Sequence, residues 1–301
     1  MLAVPKAFTG HTAVIQRNAI RSWLRLRPAC EVILFGDDAG TAEIAADLNV
    51  RHVLAVERNG YGTPLVNALF TAAERLATYP WLCYINADII LMADFMDAVR
   101  RVVAQEAKSL MICRRWDVAV DALLDFHPGW EGDLSARVRR EGRRRPHTAI
   151  DCFVFPRGFW DEIPPFALGR GMWDNWLIYR ARAAQCPVVD LSDVVLAVHQ
   201  NHDYAHQAHA IKAEADVWST AEARRNWDLG GGFAHAFSAY DATHRLLRGG
   251  LRRNFTPYAI YRRLALLTVS RPFLTPVVDC LRSIYRGYRE VRNAARPRRR
   301  P

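Results

Sequence analysis

The stretch Leu82-Cys83-Tyr84-Ile85-Asn86-Ala87-Asp88 decides the fold class. Its first part is an uninterrupted apolar and aromatic run, which reads as a strand buried on both faces, as a parallel sheet with helices on either side requires. The run then stops at Asn86-Ala87-Asp88, and ligands of open α/β sheets bind outside the C-terminal ends of the strands. Working outward, similar short runs are expected as strands at 2–4, 32–35, 52–56 and 110–113. Between the first two, Val14, Ile15, Ile20, Trp23 and Leu24 fall near helical spacing over 12–26, with Pro28 as a stop. Ahead of Leu82, Thr63-Pro64 reads as an N-cap followed by proline at the first helical position, opening a helix towards Thr78. This alternation predicts a Rossmann-type α/β fold, a mostly parallel sheet flanked by helices.

The strand ends carry the chemistry. They read Pro5-Lys6, Gly36-Asp37-Asp38, Glu57-Arg58-Asn59, Asn86-Ala87-Asp88 and Arg114-Arg115-Trp116, so polar groups collect on one edge of the expected sheet. Any one of them is equally a helix cap or a solvated turn. From 149 the pattern changes to Phe153-Val154-Phe155-Pro156, an aromatic loop to Phe166, a tryptophan-flanked helix over 172–184, and a strand over 188–198 broken by Ser192-Asp193. This predicts a second lobe packed on the first: a 1–250 domain with a nucleotide-binding half at 1–148 and an acceptor half at 149–250. Beyond it, 251–301 alternates apolar residues with arginines and reads as a basic, amphipathic, helical tail.

Half of the 301 residues are apolar, enough for a sizeable core. The six cysteines are scattered singly without C-x-x-C spacing, which reads as buried thiols of a reducing compartment. No stretch reaches membrane-spanning length and the first residues lack an apolar signal core, so the expectation is a cytoplasmic protein, peripheral at most to the inner face of the membrane. The net charge of +10 concentrates in Arg137, Arg139, Arg140, Arg143, Arg144 and Arg145 and in the tail. Clustered basic charge favours a phosphate-rich or anionic partner, and an anionic membrane surface is one for the tail. The 137–145 run reads as a solvated loop or as one that closes over a diphosphate.

The motifs together resemble a bacterial family of GT-A-type glycosyltransferases, the nucleotide-diphospho-sugar transferases. The likeness runs from Pro5 to about Thr243 on Pro5-Lys6-Ala7-Phe8, Gln16-Arg17-Asn18-Ala19-Ile20 with Ser22-Trp23, Phe35-Gly36-Asp37, Glu57-Arg58-Asn59 with Gly62-Thr63-Pro64, Tyr84-Ile85-Asn86-Ala87-Asp88-Ile89, Trp173-Asp174-Asn175-Trp176 and His199-Gln200-Asn201-His202-Asp203-Tyr204. The resemblance implies transfer of a sugar from a nucleoside-diphosphate-sugar, with a UDP-sugar favoured, to a hydroxyl of a glycan or glycolipid. It implies that Asn86-Ala87-Asp88 stands in the D-x-D place, with Asn86 towards the ribose or a metal-bound water and Asp88 on Mn²⁺ or Mg²⁺. Such a cation offsets charge on the leaving diphosphate. Asn86 departs from the family's first aspartate, which puts the metal dependence in question.

The resemblance also implies that His199 completes the metal site, the alternative being a core histidine bonded to a carbonyl. It makes Asp174 the general base on the acceptor hydroxyl, set against an N-cap aspartate between two core tryptophans. Trp173 and Trp176 offer flat faces to sugar C–H groups and, with Asn175, form the expected acceptor site. Asp37 is expected on the nucleobase N–H with Asp38 as its solvated neighbour, Lys6 and Arg58 on the nucleotide or diphosphate, Thr63 at a helix N-terminus that favours an anion, and Asp151 on sugar hydroxyls.

Other classes compete. A dinucleotide oxidoreductase lacks its G-x-G-x-x-G, since strand one is followed by Lys6-Ala7-Phe8-Thr9-Gly10-His11. There is no P-loop. A basic nucleic-acid-binding protein would explain the tail but not the acidic strand ends, and no specific nucleic acid is expected. A zinc hydrolase would use His199, His202, His206 and His209, spaced so that several share one helical face; a solvated helix is the favoured account of them.

Overall fold

The computed structural model describes residues 1–201 and 220–294. In chain order the strands are β1 Leu2–Ala3, β2 Ile33–Phe35, β3 Arg51–Val53, β4 Trp81–Ile85, β5 Ile89–Ile90, β6 Leu110–Val118, β7 Arg143–Arg144, β8 Ile150–Pro156, β9 Val188–Asp190, β10 Ala197–Gln200, β11 His244–Leu247 and β12 Gly250–Arg253. The helices are α1 Gly10–Trp23, α2 Thr41–Asp47, α3 Val66–Leu76, α4 Ala93–Val103, α5 Trp130–Glu141, α6 Trp173–Ala183, α7 Ala221–Gly230, α8 Pro257–Ser270 and α9 Thr275–Ala294. None of the described helices is long and apolar enough to cross a membrane.

The main sheet runs β12-β11-β9-β6-β8-β4-β1-β2-β3. Its strands are mostly parallel, with β8 antiparallel to both β4 and β6 and β12 antiparallel to β11. This is the α/β class expected from the runs. Alternation on β4 accounts for its lack of polar positions: Leu82 and Tyr84 enter one core layer, Cys83 and Ile85 the other. Trp23, at the end of α1, is fully buried against the second layer and donates its indole N–H to the Ile89 carbonyl at 2.9 Å. Burial of a side chain that large contributes about 3 kcal/mol.

Several buried polar residues of α1 tie the sheet edge together. Gln16 accepts from the Lys6 N–H (2.7 Å) and donates back to the Lys6 carbonyl (2.8 Å). Asn18 donates to the Ala122 carbonyl and to Gln200, both at 3.0 Å, and accepts from the Leu124 N–H. Ser22 accepts from the Leu91 N–H at 3.1 Å. The polar members of the Gln16–Trp23 motif are therefore buried clamps that fix the loops around the site.

Four expectations are corrected. Thr63-Pro64 does not open α3: Pro64 bridges Arg58, Leu65 bridges Ala167, and the Leu65 N–H donates to the Glu57 carbonyl, so these residues are held extended and the helix starts at Val66. The 149–250 segment is not a second lobe, because β8, β9 and β11 are strands of the one sheet. Residues 137–145 are not a loop. Leu134 and Val138 pack α5 against Ile90, Val118 and Val198, and Arg143–Arg144 pairs with Trp116 and Asp117. Strand 110–113 continues to Val118: after an irregularity at Cys113/Arg114 it leaves β8 and pairs in parallel with β10. The strand expected over 188–198 with a break at Ser192-Asp193 is the two strands β9 and β10, which serve these two partners.

Candidate active site

A cleft of about 500 Å³ opens at the sheet edge where the polar strand ends were expected. Lys6 follows β1, Asp38 follows β2, Asn86 and Asp88 follow β4, Arg115 lies on the extension of β6, Asp151 near the start of the antiparallel β8, and His199 on β10, and all of them line it. Arg58, Thr63 and the Gly169-Arg170-Gly171 segment form a rim. Glu222 on α7 ties that rim together, accepting from Asn59 at 2.8 Å and pairing with Arg170 at 2.8 Å.

On the cleft floor the polar groups form a chain. The Tyr84 hydroxyl donates to Asn86 Oδ1 (2.9 Å), and Asn86 Nδ2 donates to Asp151 Oδ1 (2.7 Å). The other Asp151 oxygen pairs with Arg115 (2.8 Å), whose Nε donates to Asp117 (3.1 Å). Asp117 contacts His199 Nδ1 at 3.2 Å, and His199 Nε2 faces Asp88 Oδ2 at 3.5 Å. Burial pushes the Asp151 carboxyl up while the Arg115 guanidinium opposes it. For His199, burial pulls the imidazole down, but Asp117 and Asp88 outweigh it and bring it up to about 9. Asp117 is drawn below the ordinary range in spite of its burial, by His199 and Arg115.

Asp174, in the first turn of α6, also lines the cleft. The residue before that helix, Met172, is held at φ +90°, a region that L side chains avoid at a cost of about 1–3 kcal/mol. Gly230 makes room for it, since a Cβ there would fall 2.5 Å from the Met172 side chain. Burial raises the Asp174 carboxyl to about 7, with the backbone N–H of Asn175 opposing and the charge of Asp151 adding to the rise. Its Oδ1 is sealed without a hydrogen-bond partner among the described residues. Tyr84 is raised by burial and then by Asp151, Asp88 and Asp174, so one phenol lies within electrostatic reach of all three carboxylates.

The arrangement departs from the sequence expectations in particular places. Trp173 lines the cleft, edge-on to Tyr84 at 5.0 Å. Asn175 and Trp176 do not: Asn175 donates to the Phe237 carbonyl at 2.5 Å, and Trp176 is 8% exposed against Phe166 in the core. Asp38 rather than Asp37 lines the cleft. Asp37 pairs with Arg58 at 2.5 Å and Asp38 approaches the same guanidinium at 3.8 Å, so Arg58 already faces two carboxylates. Thr63 is on the rim without the helix N-terminus it was expected to have. His202, His206 and His209 lie outside the described residues; among the described residues no group of three or more His, Cys, Asp or Glu is arranged to hold a metal. Arg115 was read only as part of a polar strand end and Tyr84 only as part of a motif, and Asp117 was not noticed, although Arg115-x-Asp117 has the two-residue period that puts both on one strand face.

Asp88 and His199 fit a divalent cation that takes two protein ligands and completes its shell with diphosphate oxygens and water. Adjacent ligands of an octahedral ion at bonds of about 2.1 Å are about 3 Å apart, and Asp88 Oδ2 and His199 Nε2 are 3.5 Å apart. A ligating histidine fixes its tautomer by giving its other N–H to a carboxylate, and Asp117 is in position at Nδ1.

No family model matches the chain, and no curated protein matches it. Among solved structures it is similar to a mannosyltransferase from Pyrobaculum calidifontis in complex with GDP-Man and Mn²⁺, at 16% identity and a TM-score of 0.42, over 67% of this chain and 57% of that one. It is similar to GalNAc-T7 with UDP, GalNAc and Mn²⁺, at 11% identity and a TM-score of 0.49, over 75% and 47%. It is also similar to a glucosyl-3-phosphoglycerate synthase from Mycobacterium tuberculosis in complex with Mn²⁺, UDP-glucose and glycerol 3-phosphate, at 16% identity and a TM-score of 0.43, over 77% and 79%. The chain thus spans about half the length of the first two. Likenesses this distant carry no argument about chemistry, which rests on the cleft's own side chains.

Proposed function

We propose that this chain transfers a sugar from a nucleoside-diphosphate-sugar to an acceptor hydroxyl. The observation that supports it is the meeting, in one cleft, of an Asp88–His199 pair suited to a cation with a further carboxylate, Asp174, raised to about 7. Lys6 supplies an exposed ammonium for the diphosphate. The Asp38–Arg58 rim receives the base and ribose; a UDP-sugar is the favoured donor. Asp88 and His199 hold Mn²⁺ or Mg²⁺, which when bound neutralises charge on the departing diphosphate. Asp151, oriented by Asn86 and Arg115, accepts from donor sugar hydroxyls.

On this reading Asp174 takes the acceptor hydroxyl proton as that oxygen attacks the anomeric carbon. A base with a pKa near the working pH combines a large ionised fraction with useful proton affinity. Trp173 gives the sugar an apolar wall and helps to exclude water. Direct attack from the side of Asp174 inverts the anomeric centre. The acceptor is a hydroxyl on a glycan or glycolipid, which agrees with a basic C-terminal segment able to rest on an anionic membrane surface, consistent with work in polysaccharide biosynthesis on the cytoplasmic side.

The test is thermal-shift titration with UDP-, GDP-, CMP- and dTDP-sugars, with and without Mn²⁺. One donor class should raise the melting temperature in the wild type and fail to do so in Asp88→Ala. No stabilisation by any donor would refute the proposal.

A further inference from the structure

Arg114 and Arg115 are consecutive on β6, and the two-residue period of a strand sends them to different cavities. Arg115 faces the cleft already described. Arg114 lines a separate cavity of about 350 Å³ between the sheet and the C-terminal helices, walled by His147, Asp190, Tyr240, Arg245 and Tyr258.

Arg114 as a whole residue is 9% exposed. Among the described residues it has no ion pair within 4.0 Å, and its Nε is sealed without a hydrogen-bond partner. Desolvation and then the charge of Arg144 draw its pKa below the usual value. Asp190 and Asp193 oppose that fall without overcoming it and lie beyond ion-pair distance of Arg114; Asp193 pairs with Arg245 (2.5 Å) and Arg144 (3.5 Å), and Asp190 accepts from the Ser192 N–H at 2.9 Å. His147 adds no charge, because burial and then Arg114 hold its pKa at about 3, and its ring stacks on Tyr240 at 3.5 Å. Tyr258 stands 4.9 Å from Tyr240 and extends the aromatic wall.

A buried, unpaired guanidinium is costly, and proteins that keep one pair it with an anion. The cavity is larger than a bare ion needs, and its walls are aromatic. We infer that this cavity is a second binding site, for a phosphate group carried on a small organic moiety, with Arg114 as the anchor and the Tyr240–Tyr258 wall against the attached group. Guanidinium matches phosphate through parallel N–H donors. The phosphate belongs either to a soluble phosphorylated compound or to a lipid headgroup, and the C-terminal helices that close the cavity suit both. The inference does not depend on the reading of the other cleft.

The probe is inorganic phosphate, titrated against the full-length protein at ionic strength matched with KCl and followed by thermal melting. Saturating phosphate should raise the wild-type melting temperature by about 2–4 °C. Arg114→Met and Arg114→Gln, each checked for the wild-type circular dichroism spectrum, should lose that rise, whereas Lys6→Ala in the other cleft should keep it. Sedimentation with phosphatidylcholine vesicles containing phosphatidic acid separates the sources. Binding lost in Arg114→Met indicates a headgroup, and binding unchanged in that variant indicates a soluble phosphate. No rise in the wild type, or a full rise in both Arg114 variants, overturns the inference.

Discussion

Arg114 and Arg115 are neighbours in sequence with opposite surroundings. Arg115 is clasped by Asp151 at 2.8 Å and by Asp117 at 3.1 Å, while Arg114, similarly buried, has no ion-pair partner among the described residues. Around Arg115 the protein has supplied both signs of charge, so the Asn86–Asp151–Arg115–Asp117–His199 chain is oriented before any ligand arrives. Pre-set charges of this kind cost little reorganisation during reaction. Around Arg114 the carboxylates of Asp190 and Asp193 act only from beyond ion-pair distance, and an outside anion would complete the pair. The contrast separates a site organised for chemistry from one organised for binding.

Exchanging each arginine for methionine sharpens that contrast most. Arg115→Met strands the buried Asp151 carboxylate and should cost about 3–5 kcal/mol in urea unfolding. Arg114→Met removes an unpaired buried charge and should be neutral or stabilising by about 1 kcal/mol; equal losses in the two variants would break the comparison. Next in size, Asp88→Ala should lower turnover about 100- to 1,000-fold in a donor-consumption assay, through loss of charge stabilisation at the diphosphate. Asp117→Asn leaves both cation ligands in place but weakens the orientation of His199. Mn²⁺ affinity by calorimetry should fall about 10- to 100-fold. Smallest is Asn175→Ala, which gives up one hydrogen bond to Phe237 outside the cleft. It should cost about 1 kcal/mol of stability with turnover unchanged.

The sheet edge was legible because a strand buried on both faces has no polar residue until it reaches its end. Asp88 could therefore be read from where the run of β4 stops, whereas Asp174 and His199 were expected from the resemblance. The antiparallel insertion of β8 was hidden: Ile150–Pro156 is as apolar as a parallel strand, and pairing direction leaves no mark on composition. Asp117 was missed because β6 outlasts its apolar run and pairs with β10, more than 70 residues away, at a position no local pattern reveals. The face of α6 was misjudged for a related reason. Trp173 and Trp176 lie three apart on one helix, but Phe166 packs on Trp176 and the Phe237 carbonyl holds Asn175, so only the first tryptophan reaches the cleft. The clamps Gln16, Asn18 and Ser22 were noticed as a motif, while their purpose depended on loops distant in sequence.

Burial of Asp174 also has a sign in stability. Its folded pKa of about 7 lies above the ordinary 3.8, so the folded state holds the proton more tightly, and this contribution is lost as pH rises from about 4 through about 7. Asp174→Asn should therefore gain stability relative to wild type at pH 8 compared with pH 5, even as it loses activity. The most direct measurement is kcat/KM against pH for the wild type and Asp174→Asn with a donor that binds. The account expects a wild-type rate that rises with pH through an apparent pKa near 7 and a variant about 100- to 10,000-fold slower without that limb. A variant with wild-type turnover, or one that keeps the same limb, would contradict the assignment of Asp174 as the base.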